Sequence, residues 1–482
     1  MKRTRLYPAF SALGALLAFS PYHLGFLILV ALIPLLLRLR EPGVRPFRAG
    51  YGFGLIFGLG QLYWLAQLTT RWTGSLALGL VPWLLATLLF ALYFGLAGWL
   101  STLAWKMDRP WLIPIVWAGV EVFRSYLPVF AFPWGLIATP IAGVTPLIQG
   151  AHLGTVYLVG AWVVAFNLAI ALVLAKETVK QRMPVMIGTG GLAVVSLALY
   201  LAPIPSRNFY VTVGQPGVDL AFGDPSVSDA QMGKAVDKIE QDAQQAGSQL
   251  VVLPEGLVHV GSHFPPPMPF HLSPMMPTIF GGQRGDDPAY QTAFAYDGRW
   301  TWADKTRLVI FGEFVPGRSW IPFLSSVKLP SGDLTAGDRV QALRVAGVTV
   351  GPVICFEALF PDISYRQALN GSQMLAVMSM DDWFMGTSAP EQLRTASVWR
   401  AVENGLPLVR AAETGYTLAI DPKGHVYTVA PLRVPYSLEV TAPIQDRHPA
   451  PYWLPIFPVV AVLTCLIVPI WAKLSPNASK CD

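Results

Sequence analysis

Three side chains able to do acyl chemistry each close a short apolar run. Glu255 ends Leu250-Val-Val-Leu-Pro-Glu255, Lys305 follows Trp300-Thr-Trp-Ala-Asp304, and Cys355 ends Val350-Gly-Pro-Val-Ile-Cys355. A thiol becomes a strong nucleophile when a carboxylate takes its proton and an ammonium steadies the thiolate. The same ammonium can hold the oxyanion of a tetrahedral intermediate. The three therefore make a complete set for covalent attack on a carbonyl. Taken singly, each has a plainer reading. Cys355 could be a buried structural thiol, Glu255 the cap of the next turn, and Lys305 a solvated hairpin lysine. Convergence is what would separate the two readings. Active residues in open α/β sheets gather at the carboxyl ends of strands, which is where these three stand.

The surrounding elements must then bring three strand ends together. Residues 209–213 alternate like a strand, and 228–247 carry Met232, Val236, Ile239, Ala243 and Ala246 at helical spacing, with Ser228 or Asp229 as cap. Residues 250–253 form a short buried strand. Residues 291–296 and 299–303, joined at Asp297-Gly298, read as a hairpin, and 345–354 as a strand pair broken at Gly347. Residues 389–404 read as a helix, 406–411 and 417–420 as strands. Alternating strands and helices predict a layered α/β domain. The Pro- and Met-rich stretch 263–280 has no period and reads as a loop, and its Met268, Phe270, Met275 and Met276 could make a soft apolar mouth.

The rest of the chain belongs to a different solvent. Of 482 residues, 53% are hydrophobic and only 13% charged, against roughly a quarter charged in an ordinary soluble domain. Apolar windows predict eight spans, near residues 6–20, 24–37, 51–69, 76–105, 111–127, 153–175, 184–201 and 452–472. Basic residues (Lys2, Arg3, Arg5; Arg38, Arg40, Arg45, Arg48; Lys106, Arg109; Lys176, Lys180, Arg182; Lys473, Lys480) fall on one side of that topology. Both termini are thus expected in the cytoplasm and the polar segment outside it. The net charge of +5 is spread over these loops, which argues against a nucleic-acid partner. Three cysteines exclude a disulfide framework; Cys465 sits in an apolar run and Cys481 fits no prenylation box. Glu121 and Arg124, one turn apart in the fifth span, are expected to pair, with a headgroup-binding role for Arg124 as the sharper alternative.

The motifs themselves are familiar. Pro254-Glu255, Asp304-Lys305 with Phe311-Gly-Glu-Phe-Val-Pro316, and Ile354-Cys-Phe-Glu357 with Phe360-Pro361 resemble the nitrilase superfamily, whose members carry a Glu–Lys–Cys triad on an α-β-β-α sandwich. Insertion of such a domain before a last span is similar to the apolipoprotein N-acyltransferase family. Phe132-Pro-Trp-Gly135, Leu147-Ile-Gln149, Glu121 with Arg124, residues 379–384 and Leu408-Val-Arg410 extend the likeness over nearly the whole chain.

That resemblance implies an α-helical transmembrane bundle of about eight spans plus a nitrilase-like α-β-β-α domain. The expected division is residues 1–203 for spans one to seven, 204–450 for the catalytic domain, 451–474 for the last span and 475–482 for a cytoplasmic tail. It implies a multi-pass protein of a bacterial inner membrane, catalytic on the periplasmic side. Cys355 would take an acyl chain from a phospholipid as a thioester and pass it to the α-amino group of a diacylglyceryl-cysteine lipoprotein. Glu255 would be general base and Lys305 the thiolate and oxyanion stabiliser. Glu313 would support them, Glu357 would line the pocket, and Phe356, Trp383, Phe384 and Arg124 would contact substrate. No metal or cofactor is implied, and a monomer is expected. Against the usual pattern, Phe356 stands for Tyr, Ile310 for Pro, Ala303 for Tyr, Met380 and Glu413 for Asn, and Leu393 for His. A membrane-tethered amidase, in which water resolves the thioester, is the alternative. A non-catalytic lipid- or lipoprotein-binding scaffold is a third reading, which an intact triad disfavours.

Overall fold

The computed structural model describes residues 3–223, 225–261, 276–318, 320, 329, 332–446 and 450–474. Met268, Phe270 and Met275 of the predicted apolar mouth, Lys2, Lys480, Cys481 and the predicted tail 475–482 lie outside the described residues. The chain divides into two compact units, one of Met1–Ala202 with Trp453–Asp482 and one of Pro203–Tyr452.

The first unit is helical. Four of its helices are long and apolar enough to cross a membrane: Leu76–Lys106, Ala151–Leu174, Val179–Leu201 and Ile456–Leu474. The other four expected spans fall on shorter pieces, so eight full-length spanning helices are not what the described residues show. The second breaks into Ile28–Ala31 and Ile33–Arg40, the third into Pro46–Gln61 and Tyr63–Thr73, while the first and fifth are Tyr7–Ala18 and Ile113–Tyr126. Where the second breaks, Asn167 compensates the backbone: its amide donates to the Ile28 carbonyl at 2.8 Å and accepts from the Leu32 N–H at 2.9 Å. An apolar solvent cannot satisfy a freed peptide group, so a neighbouring helix must. Phe53, Phe57, Phe90, Phe94 and Trp117 interlock edge-to-face and stacked in the core of this unit. Cys465 is a packing residue whose thiol meets the Val116 carbonyl at 3.3 Å.

The second unit is a two-sheet sandwich. One sheet has the order β13 (Tyr436–Ile444), β1 (Arg207–Gln215), β2 (Leu250–Val252), β4 (Thr278–Arg284), β5 (Tyr290–Tyr296), β6 (Trp300–Asp304), with β3 (His259–Val260) beside β4. The other runs β12 (Val426–Val429), β11 (Leu418–Ile420), β10 (Leu408–Ala412), β9 (Met374–Ser379), β8 (Val348–Ile354), β7 (Leu343–Val345). Alternate residues face inward, as the two-residue period of a strand requires. Phe209, Val211 and Val213 of β1 thus share one buried cluster with Val350, Met374, Ala376, Met378 and Val409 of the opposite sheet. The outer face of the first sheet packs Val251, Leu253, Phe280 and Phe294 against Met232, Val236, Ile239 and Ala243 of helix Pro225–Gln245. Helices Pro361–Leu369 and Ala389–Asn404 contact the second sheet, completing an α-β-β-α arrangement.

Register decides where chemistry can occur. β2 and β4 run parallel, while β4–β5 and β5–β6 pair antiparallel, so β2 and β6 end on the same edge. β8, β9 and β10 are mutually parallel and also share one end. The expected hairpins appear, and the Ala346-Gly347 turn has positive φ at both residues (52° and 74°), as tight two-residue hairpins demand. The expected loop 263–280 needs correction at its end, because β4 begins at Thr278. Its Gly281 lets β4 run under the first catalytic turn, where an added Cβ would lie 2.7 Å from the Glu255 Cα.

Candidate active site

Glu255 follows β2, Lys305 follows β6 and Cys355 follows β8. The structure brings all three together. Lys305 Nζ lies 3.5 Å from Glu255 Oε1 and 2.6 Å from Glu313 Oε1. The remaining Glu255 oxygen accepts the Met380 N–H at 3.1 Å, and the Cys355 thiol lies close enough to this carboxylate to act on its charge. Lys305 is 1% exposed, Glu255 4% and Cys355 9%, so the cysteine is the most accessible residue of the three. Cys355 also holds a left-handed φ of 49°, a strained conformation for a side chain with a Cβ. Such strain costs about 1–3 kcal/mol, and it turns the nucleophile sharply out of its strand.

Two further carboxylates set the frame. Glu313 holds Lys305 with one oxygen and accepts the Val309 N–H at 2.9 Å with the other. Glu357 is a strut between the sheets. Its Oε1 accepts from the Thr306 N–H (2.8 Å), the Thr306 hydroxyl (3.0 Å) and the Arg307 N–H (3.2 Å), and its Oε2 from the Ile354 N–H (3.0 Å). One side chain thereby ties the lysine loop to the cysteine turn.

Electrostatics follow from burial. Burial pulls the Lys305 ammonium toward neutrality, but Glu255 and Glu313 outweigh it and push its pKa above the ordinary value, so it stays charged. Burial raises the Glu255 carboxyl; Lys305 opposes that rise and Glu313 adds to it. The Cys355 thiol is pushed up to about 12 by burial and by Glu255, against the opposing influence of Lys305 and Ser379. At neutral pH the resting state is therefore a thiol beside a base, and the thiolate forms as the base takes its proton.

Around this core lie further groups, of which Asp381 and its partners carried no role in the sequence reading. Asp381 accepts both Nη atoms of Arg410, at 2.7 and 3.0 Å, and Ser379 lies 2.8 Å from it. An arginine inside an all-buried strand such as Leu408–Ala412 signals a buried acid partner. Phe356 is half-buried and edge-on to Phe360 at 5.2 Å, and Trp383 meets Phe222 at 5.5 Å. Phe384 is half-buried in the same 3-10 turn as Trp383, and Met276 is buried. Arg124 lies in the helical unit, fully buried. Its guanidinium donates to the Phe132, Trp134 and Gly135 carbonyls, with Glu121 3.8 Å away. Those partners occupy it structurally, which leaves little for the headgroup contact expected of it. Among the described residues no cluster of three or more His, Cys, Asp or Glu could hold a metal ion.

A buried thiol, carboxylate and ammonium at the ends of sandwich strands are the equipment of a carbon–nitrogen hydrolase domain, and residues 283–433 match the family model of that description. Residues 11–169, in the helical unit, match a second model, the apolipoprotein N-acyltransferase N-terminal domain. The chain is similar along most of its length to proteins named apolipoprotein N-acyltransferase. It is 30% identical to that of Ralstonia nicotianae over 477 residues, covering 88% of this chain and 85% of the relative. With that of Geobacter metallireducens it shares 28% over 475 residues (89% and 88%), and with that of Pseudomonas aeruginosa 28% over 459 residues (87% and 86%). The chain belongs to the apolipoprotein N-acyltransferase family.

Proposed function

We propose that this protein is an acyltransferase that carries an acyl chain from a phospholipid, as a thioester on Cys355, to the α-amino group of the N-terminal diacylglyceryl-cysteine of lipoproteins. The observation that carries the reading is the Glu255–Lys305–Cys355 constellation within a chain whose family likeness spans both units. In the first half-reaction Glu255 takes the thiol proton as sulfur attacks the ester carbonyl. Lys305 neutralises the thiolate and then the oxyanion, and the proton passes to the departing lysophospholipid hydroxyl. In the second, the amine attacks the thioester and Cys355 leaves. Glu313 fixes the ammonium, Glu357 fixes the turn that carries the nucleophile, and Phe356, Trp383 and Phe384 line the substrate approach. The protein acts as a monomer in a bacterial inner membrane. The shorter helices complete about eight crossings, and the α/β unit faces the periplasm. The amidase alternative is not favoured, because the relatives carry the acyltransferase name and match the helical unit as well.

The test is mass spectrometry of a diacylglyceryl-cysteine peptide incubated with phospholipid and purified protein, wild type beside Cys355→Ala. One acyl chain gained on the peptide amine, and none with the variant, is expected. Lysophospholipid and free fatty acid with an unchanged peptide would make the protein a hydrolase.

A further inference from the structure

Glu255 can serve as a base only while its carboxylate is held in one orientation. One oxygen faces Lys305, and the other accepts the Met380 N–H at 3.1 Å. That N–H belongs to the bend just past β9, so the orientation of the base depends on what fixes the bend. Proton transfer needs hydrogen-bond contact, and a misplacement of about 1 Å can cost a hundredfold in rate. The residues on either side of Met380, Ser379 and Asp381, are fully buried, and both are hydrogen-bonded to Arg410.

Asp381 turns back to β10 and meets Arg410 in a two-pronged pair. Arg410 Nη2 donates to Asp381 Oδ1 at 2.7 Å and Nη1 to Oδ2 at 3.0 Å. The Ser379 hydroxyl donates to the same Oδ1 at 2.8 Å and accepts from Arg410 Nη2 at 3.1 Å. The loop after β10 closes the cage. Its Tyr416 N–H donates to Asp381 Oδ2 at 3.2 Å, and the Tyr416 carbonyl accepts from Arg410 Nη1 at 2.7 Å. A Cβ at Gly415 would collide with the Asp381 carboxylate, so that loop lies directly against it. Within the cage only the Arg410 Nε lacks a partner. Val409 and Ala411 belong to the core between the sheets, which Cys355 joins, so Arg410 takes the opposite face of β10. The pair therefore reaches the triad only through the backbone of residues 379–381.

A buried ion pair is costly to desolvate, and apolar side chains of similar volume often serve stability as well. What a two-pronged pair adds is a fixed angle, which apolar packing does not supply. We infer that Asp381 and Arg410 are a positioning device for the catalytic base: their pair locks the bend after β9 so that the Met380 N–H points at Glu255 Oε2. Neither residue touches substrate; both are positioning residues that act through that one N–H. The inference rests on the reading of Glu255 as the base of acyl transfer. The charged and titratable groups facing Glu255 are Lys305, Glu313, Cys355 and Glu413, and a change in the pair alters none of them. A hydrogen bond to a carboxylate favours its charged form, so losing the Met380 contact moves protonation of Glu255 to higher pH.

The experiment follows the lysophospholipid burst of full-length protein in detergent, across pH about 5.5 to 9. It compares wild type, Arg410→Lys, and the double variant Asp381→Asn with Arg410→Met. The double variant strands no buried charge and leaves the net charge unchanged, so it favours a folded protein and removes a field effect on Glu255. Its acid limb should lie about one pH unit or more above wild type, and its burst rate at neutral pH should fall about tenfold. KM for phospholipid should stay unchanged. Arg410→Lys keeps the charge but not the fork, so its limb should stand between the two. It carries the test where the double variant is not recovered folded. A folded variant with the wild-type limb would reduce the pair to structure and overturn the inference alone. A raised KM with an unmoved limb would place the pair at the substrate and overturn it equally. If the wild type forms no acyl-enzyme, the reading of Glu255 falls, and the inference falls with it.

Discussion

The protein buries ionic clusters in both of its units, and they are built differently. In the helical unit Arg124 is covered by three backbone carbonyls and has Glu121 alongside, and Glu121 Oε1 accepts the Ile137 N–H at 2.9 Å. The arrangement locks helix Ile113–Tyr126 to the following segment. In the α/β unit Lys305 is shared between two carboxylates, one of which also faces a thiol. Saturated charges hold structure, whereas a charge set that leaves one acid free to change its proton can do chemistry. Removing a member should therefore hurt folding in the first cluster and turnover in the second.

The largest separation is expected at Glu255. Glu255→Gln keeps the shape but removes the base, and acyl-enzyme formation should drop about 10²–10⁴-fold with little change in melting temperature. Because burial raises the Glu255 carboxyl, the wild-type rate should fall as pH decreases through a value above the ordinary carboxylate range, where the base becomes protonated. Initial-rate pH profiles of both proteins check this.

Arg124→Leu should do the reverse. It leaves Glu121 unpaired in an apolar surrounding and should destabilise the helical unit by about 3–5 kcal/mol. Specific activity per folded molecule should be retained, and adding Glu121→Gln should restore much of the stability. Thermal unfolding in detergent reads the effect, and a loss of activity with normal stability would return Arg124 to the substrate.

These contrasts were unequally legible in the sequence. The triad stood out because each member ends a strand, and strand ends of matching direction meet whatever lies between them. Glu357 was visible only as a neighbour of the nucleophile, since its role depends on Thr306 and Arg307 arriving from the opposite sheet. Asp381 and Arg410 lie 29 positions apart, and only the parallel pairing of β9 with β10 brings them together. The start of β4 was hidden because the Pro- and Met-rich composition before it masks the strand alternation. In the helical unit hydropathy marks apolar stretches but not their interruptions; the one near Leu32 coincides with Pro34, which lacks the N–H that would continue the helix.

A smaller effect is expected at the inter-sheet strut. Glu357→Gln keeps the size but cannot accept all four hydrogen bonds, so one donor is left unmet at a cost of about 1–3 kcal/mol. The first half-reaction should slow about tenfold as the Cys355 turn loosens, with KM nearly unchanged. Steady-state kinetics would distinguish this from loss of a substrate contact, which would raise KM.

The smallest is a gain. Burial holds the Glu413 pKa in the folded protein well above the ordinary carboxylate range, so the folded protein retains a proton that the unfolded chain releases. Its contribution is fully present below about 4.5 and is lost as pH rises from there toward the folded value. Glu413→Gln removes that penalty, and its melting temperature should exceed wild type at pH 8 while matching it near pH 4. Equal melting curves at pH 8 would mean that Glu413 finds a partner in the folded protein.

The most direct test of the account is to trap the acyl-enzyme. Purified protein would be mixed with phospholipid alone, without acceptor, and its intact mass and peptide map recorded. One added acyl chain on Cys355, released by hydroxylamine and absent from Cys355→Ala, is the predicted result. An acyl chain on any other residue, or lysophospholipid released with no covalent adduct, would contradict the assignment of Cys355 as the carrier.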